Sequence, residues 1–295
     1  PNNLIPTPVV ITVNPTPVVT FTTPTPEICF GQPAILEFGF LVGTEPFDVE
    51  YTIVYNSVGG PITQTPLSFN ASGTQIHTLT PDPPVGTQVT NTYNMIQVTD
   101  ANGCQSVINT TNPVTITVNP TPVLDITVSG ANPICVGQTS ALFFPVTSGT
   151  PPYNLSYLAG TTSSTANVDA VGNIVSTGTT QPISPIITTT YTLVSVTDAK
   201  GCVNALSSSA QLVVNELPLV DISGSTEICD QDVTQLYFNF TAGNSPWSVY
   251  YNVNGTPAPL PFSTSYSTDS LSVNPTITTV YTVTSVSDIN CSSLI

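Results

Sequence analysis

Positive charge is almost missing from this sequence. One cation, Lys200, stands against 17 carboxylates, there is no arginine, and the formal net charge is −16. A nucleic-acid binder needs a basic stripe to neutralise phosphates, so that class is excluded. Docking on anionic lipid is disfavoured for the same reason. Charged residues make up 6% of the chain, far below the ~25% of an ordinary soluble domain. Catalytic side chains are as scarce. His77 is the one histidine, and Met95 and Trp247 are equally solitary. Serine and threonine abound, but a nucleophilic triad needs a base. One histidine with no cysteine or acidic cluster nearby builds no zinc site, and no phosphate-binding glycine loop is present. The chain is therefore expected not to be an enzyme, and His77 reads as a surface or edge-strand residue. No apolar run reaches ~18 residues, so no membrane insertion is expected. No basic start followed by an apolar stretch marks a secretory leader.

Threonine is the commonest residue and valine is next. Both are β-branched and suit strands over helices. With 29 prolines and 18 glycines scattered throughout, the composition predicts an all-β chain.

The sequence repeats itself. Val114–Pro122 reads VTITVNPTP, Val10–Pro17 reads VITVNPTP, and Leu212–Pro218 is a looser copy, LVVNELP. An Ile-Cys pair follows each: EICFGQ from Glu27, PICVGQ from Pro133, EICDQD from Glu227. Next come an apolar strand (AILEFGF, ALFFPV, QLYFNF) and a turn leading to proline and an aromatic (GTEPFDVEY, GTPPYNLSY, GNSPWSVYY). A long strand then leads to a second cysteine in NTYNMIQVTDANGC, TTYTLVSVTDAKGC and TVYTVTSVSDINC. First cysteines are 106 and 94 residues apart and second cysteines 98 and 89, a period of whole domains. The expected organisation is residues 1–14 as the last strand of a preceding repeat, then repeats at 15–119, 120–215 and 216–295. The last of these stops before its own final strand.

Each copy carries about seven short alternating runs separated by Gly, Pro, Asn and Asp, the pattern of an antiparallel β-sandwich. Phe47, Tyr153 and Trp247 hold the place of a buried third-strand aromatic. Tyr93, Tyr191 and Tyr281 open the long penultimate strand, as a tyrosine corner would. The fold expected is a tandem of immunoglobulin-like sandwiches. Glycine-free Pro-x-Pro linkers would stiffen it into an extended rod of roughly 100–130 Å.

The six cysteines, Cys29, Cys104, Cys135, Cys202, Cys229 and Cys291, supply one first-type and one second-type residue per copy. Both types are expected near one pole of each sandwich. The pairing expected is Cys29–Cys104, Cys135–Cys202 and Cys229–Cys291, which implies an oxidising, extracellular setting. Recurrent carboxylates leave two readings open. Asp100, Asp198 and Asp288 precede the second cysteine, Asp125 and Asp221 sit in the first strand, and Glu27 and Glu227 precede the first cysteine. Oxygen ligands of this kind hold calcium in extracellular β-repeats. No DxDxD-like cluster exists, however, and Asp before Asn-Gly or Lys-Gly is a common turn. The turn is the reading expected, with no cofactor.

The run VTDANGC…VTITVNPTP…ICVGQ…TTYTLVSVTDAKGC resembles the Ig-like/PKD-like repeats of giant Bacteroidetes surface proteins, including gliding-motility adhesins of the SprB type. The resemblance spans the chain in three copies. It implies type IX secretion, display on the outer membrane, and a long extracellular filament touching surfaces or extracellular polysaccharide. It also implies coupling to motility or secretion machinery through regions beyond this sequence. The alternatives are a spacer or binding module of a large secreted polymer-degrading enzyme, and a passive envelope stalk. In these bacteria Asp-Ser/Thr-aliphatic is an O-glycosylation pattern. Asp269-Ser270-Leu271 is the one match and marks Ser270 as a candidate acceptor.

Overall fold

The computed structural model describes residues 8–55, 62–81, 88–107, 113–175 and 178–295. The start of the expected strand at residues 1–14 therefore lies outside the described residues. Strands are the regular elements throughout, as β-branched alternation dictates. The fold is the expected Ig-like β-sandwich. By contacts the chain divides into two compact units. One holds residues up to 124 with 146–154 and 196–205; the other holds 125–145, 155–195 and 206–295.

In the first unit, Val18–Thr22, Ala34–Val42 and Gly73–Leu79 form a three-stranded antiparallel sheet with Ala34–Val42 in the middle. The facing sheet runs Glu27–Cys29, Val114–Asn119, Val89–Thr99, Phe47–Tyr55, Ile62–Thr63. Its pairings are antiparallel except at one edge, where Glu27–Cys29 runs parallel to Val114–Asn119. Period-two alternation in Ala34–Val42 turns Ala34, Leu36, Phe38 and Phe40 inward. They meet Phe47, Val49, Tyr51, Tyr93, Met95 and Ile116 from the other sheet.

The second unit repeats the plan. Leu219–Ser223, Thr234–Ala242 and Thr268–Val273 form one sheet, and Trp247–Val253 pairs with Tyr281–Ser287 in the other. Leu236, Phe238, Phe240, Trp247, Val249, Val283 and Val286 fill the space between. The same unit contains most of the second repeat, where Leu142, Phe144, Leu155, Tyr157, Leu193 and Leu212 are buried. There Ile134–Cys135 again pairs parallel with the strand at the repeat's end, Val214–Asn215.

The aromatic positions read from sequence are core positions. Phe47, Tyr153 and Trp247 are buried, each after a cis proline. Phe47 stacks on Phe40 at 4.4 Å and Trp247 on Phe240 at 4.8 Å. The three penultimate-strand tyrosines pack against third-strand tyrosines: Tyr51–Tyr93 at 6.5 Å, Tyr157–Tyr191 at 6.5 Å and Tyr251–Tyr281 at 6.4 Å.

Candidate functional site at the repeat junctions

The features that recur without belonging to a core gather where one repeat ends and the next begins. Each junction starts with the aspartate before the second cysteine. Asp100 Oδ1 accepts the backbone N–H groups of Asn102 and Cys104, both at 3.0 Å, and its Oδ2 accepts that of Thr44 at 3.1 Å. Asp198 does the same with Lys200 at 2.9 Å, Cys202 at 3.0 Å and Thr150 at 3.0 Å. Asp288 accepts from Asn290, Cys291 and Asn244. Asp100 and Asp198 are buried, so these bonds replace the water the carboxylates have lost. Each aspartate ties the loop carrying the second cysteine to the turn before the Pro-aromatic pair. The remaining turn bonds repeat too: Gly103 N donates to Asp100 O, and Gly201 N to Asp198 O. Both glycines have φ near +80°, which only glycine adopts at no steric cost. No cluster of three metal-ligating side chains occurs among the described residues.

The linker is the second component. Pro122 packs on Gly149, where an added Cβ would lie 2.8 Å from the Pro122 Cα, and Pro218 packs on Gly243 at a comparable 2.9 Å. Glycine at these places lets the linker approach closely.

The cysteine pairing differs from the one expected. Cys29 is bonded to Cys202 and Cys135 to Cys291; Cys104 and Cys229 are free thiols. Cys29–Cys104, Cys135–Cys202 and Cys229–Cys291 are therefore all corrected. The reason is that the two cysteine types sit at opposite poles. The first cysteine ends a short strand parallel to the last strand of its repeat, with Cys29 beside Asn119 and Cys135 beside Asn215, where the chain leaves. The second cysteine sits where the chain enters: Cys104 Sγ is 3.9 Å from the Asn14 carbonyl oxygen and Cys291 Sγ 4.0 Å from that of Asn215. Asn215 thus stands between the two partners of one bridge, and each bridge crosses a linker from one repeat to the next.

Charge reinforces the first bridge. Lys200 Nζ lies 2.7 Å from Glu27 Oε1, which also accepts a hydrogen bond from Asn119 Nδ2 at 2.9 Å. The Lys200 ammonium, with help from the Asn119 amide, holds the Glu27 carboxyl below the usual carboxylate range. Both charged groups are more than a third exposed, so solvent and salt screen the pair to within about 1 kcal/mol. Asn204 Nδ2 donates to the Pro122 carbonyl at 3.0 Å and completes the clasp. Beside the second bridge lies an open groove of about 490 Å³ lined by Gln138, Leu217, Asp288 and Asn290.

The other residues singled out from sequence lie apart from the junctions. His77 is half-buried on Gly73–Leu79, an edge strand, with its ring 6.4 Å from that of Tyr51; burial lowers its pKa. Ser270 is half-buried on the edge strand Thr268–Val273 opposite Tyr237. The neighbouring Asp269 accepts from the Thr264 hydroxyl and the Ser270 N–H, which hold its pKa down. Asp125 accepts from the Ile126 N–H, and Asp221 faces Asn239 across a strand pair. Glu227 lies just before the free Cys229.

No protein-family model matches this sequence, and no curated protein does. Among solved structures the chain is similar to the native conformation of Escherichia coli alpha-2-macroglobulin, at 8% identity and a TM-score of 0.28, covering 89% of this chain and 21% of that one. A marsupial T cell receptor matches at 12% identity and a TM-score of 0.43, covering 91% of this chain and 98% of the other. The N-terminal eight Ig domains of the Down syndrome cell adhesion molecule match at 12% identity and a TM-score of 0.28, covering 82% and 47%. These likenesses are too distant to carry an activity or a partner.

Proposed function

We propose that the chain is the repeat region of an extracellular cell-surface filament with a structural and adhesive role. The observation that carries this reading is the covalent bridge across the linkers at 119–122 and 215–218, Cys29–Cys202 and Cys135–Cys291 respectively. A disulfide persists outside the reducing cytosol. One that spans a domain junction passes load between domains without relying on the linker alone. The scarcity of catalytic side chains fits a passive mechanical part. The finer form of the proposal is a Bacteroidetes gliding-motility adhesin of the SprB type, secreted by the type IX route, held at the outer membrane and touching surfaces or extracellular polysaccharide. The recurrent VNPTP, ICVGQ and VTDAKGC segments support it.

Deletion of the encoding gene tests the reading, scored for attachment and spreading on glass and for growth on insoluble polymers. Lost attachment or spreading with normal polymer growth is the expected result. Normal attachment with lost growth on polymer would make these repeats spacers of a secreted enzyme and overturn the proposal.

A further inference from the structure

The sole cation of the chain stands beside a carboxylate that a buried amide also touches. Lys200 Nζ lies 2.7 Å from Glu27 Oε1, and Asn119 Nδ2 donates to that same oxygen at 2.9 Å. Amine and amide nitrogen therefore meet across a single atom. Asn119 is 1% exposed and ends a strand held between Glu27–Cys29 and Val89–Thr99. Its Oδ1 accepts a hydrogen bond from Gln88 Nε2 at 2.7 Å. Both polar ends of the amide are thus fixed, with its carbonyl carbon between them. Lys200 is anchored from its own side. Asp198 accepts its backbone N–H at 2.9 Å, and Cys202, two residues on, is bonded to Cys29. At the second junction Asn215 keeps the amide opposite Cys135, as Asn119 stands opposite Cys29. There Pro133 replaces the glutamate and Asn290 precedes the second cysteine, so carboxylate and amine are lost together.

We infer that Lys200 and Asn119 are set to form an amide bond across the first junction, with Glu27 carrying protons and Gln88 holding the developing oxyanion. Glu27 takes a proton from the Lys200 ammonium, and the freed lone pair of Nζ attacks the Asn119 Cγ. Negative charge gathers on Oδ1, where Gln88 Nε2 donates. Glu27 already faces Nδ2 and hands its proton to that nitrogen. The Cγ–Nδ2 bond breaks and ammonia leaves, taking the surplus proton of Nζ with it as ammonium. One ammonium and one primary amide give one secondary amide and one ammonium ion, with no oxidant or reductant. An ion-paired carboxylate is a weak base, so the bond closes slowly. A reaction that occurs once per chain needs no faster base.

The new bond would lie inside the Cys29–Cys202 loop, so it leaves the extension of the oxidised chain unchanged. A freshly folded chain still releases its whole contour on reduction. A chain in which the bond has closed keeps residues 119–200 looped without the disulfide. The inference stands on side-chain geometry and is independent of what the filament touches.

The test exploits the single lysine. With no arginine in the chain, trypsin has one possible cut, after Lys200, and it needs the free cation there. The full 295-residue protein is incubated for days in mildly alkaline buffer, then denatured, reduced, alkylated and digested with trypsin. Intact mass is read before digestion. Expected are the loss of one ammonia from the intact mass, a chain that trypsin no longer cuts, and, after chymotrypsin, one branched peptide joining Lys200 to Asn119. Glu27→Gln and Lys200→Arg are both expected to keep their full mass and to be cut completely into residues 1–200 and 201–295. Lys200→Arg retains the positive charge beside Glu27, so its folding is preserved while its side chain forms no amide. Wild-type chain cut as completely as Lys200→Arg with no loss of mass would overturn the inference and leave an ion pair. Loss of water instead of ammonia, with Lys200 joined to Glu27, would overturn it too, as would bond formation unaffected by Glu27→Gln.

Discussion

Pulled from its two ends, the oxidised chain is expected to extend to a contour of about 350 Å, and to about 1000 Å once reduced, at ~3.5 Å per residue. The Cys29–Cys202 and Cys135–Cys291 loops overlap, with sequence separations of 173 and 156. Force therefore reaches only about 100 residues before a covalent bridge takes it. Single-molecule extension with and without reductant reads the difference directly. The variant Cys135→Ser sharpens it. With Cys29–Cys202 alone remaining, the contour should be about 430 Å; bridges confined within repeats would give about 550 Å for the same variant. The mechanical role proposed for the filament follows from this geometry. A domain that unfolds under load cannot pay out its full length while the bridge across its junction holds.

The second large effect is expected at Asp198. Replacing it with alanine leaves the backbone N–H groups of Thr150, Lys200 and Cys202 without their acceptor in a buried turn. At about 1 kcal/mol or more for each lost bond, the cost is about 3–4 kcal/mol. Calorimetry should show one transition falling by about 12–25 °C, since a domain of ~100 residues shifts several degrees per kcal/mol. Asp198→Asn should fall between wild type and alanine, because one amide oxygen can still face Lys200 and Cys202 while its NH₂ opposes the Thr150 donor. The same turn positions Cys202, so free thiols in the alanine variant should rise from two to four as Cys29–Cys202 fails to close. Chelator should leave the melting temperature of the wild type unchanged, because these carboxylate oxygens already accept backbone donors. An alanine variant that melts like wild type with two free thiols would show that the aspartate does not hold the loop.

The sandwich was legible in the sequence because its determinants are local. Alternation in AILEFGF and QLYFNF sets the inward face, and Pro before Phe47, Tyr153 and Trp247 marks the start of the next strand. The aspartate turn was equally readable from VTDANGC and VTDAKGC, since a turn needs only neighbouring residues. Cysteine pairing was not. One cysteine of each type per copy satisfies pairing within a repeat and pairing to the next repeat equally well; the two differ only by an offset of one period. The deciding fact is strand direction. Glu27–Cys29 runs parallel to the last strand of its repeat, which carries Cys29 to the exit pole, and nothing in EICFGQ records that. One signal did point the right way. The sole cation, Lys200, lies two residues before Cys202, and Glu27 lies two before Cys29, so opposite charges flank the two cysteines that bond. In the second repeat proline replaces that glutamate at position 133, and the charge signal is lost.

Mapping of disulfide-linked peptides from the unreduced, alkylated protein tests the central claim most directly. The account predicts Cys29 joined to Cys202, Cys135 joined to Cys291, and alkylated thiols at Cys104 and Cys229 in the isolated monomer. Peptides joining Cys29 to Cys104, Cys135 to Cys202 and Cys229 to Cys291, with no alkylated cysteine, would contradict it and return each bridge to the interior of its own repeat.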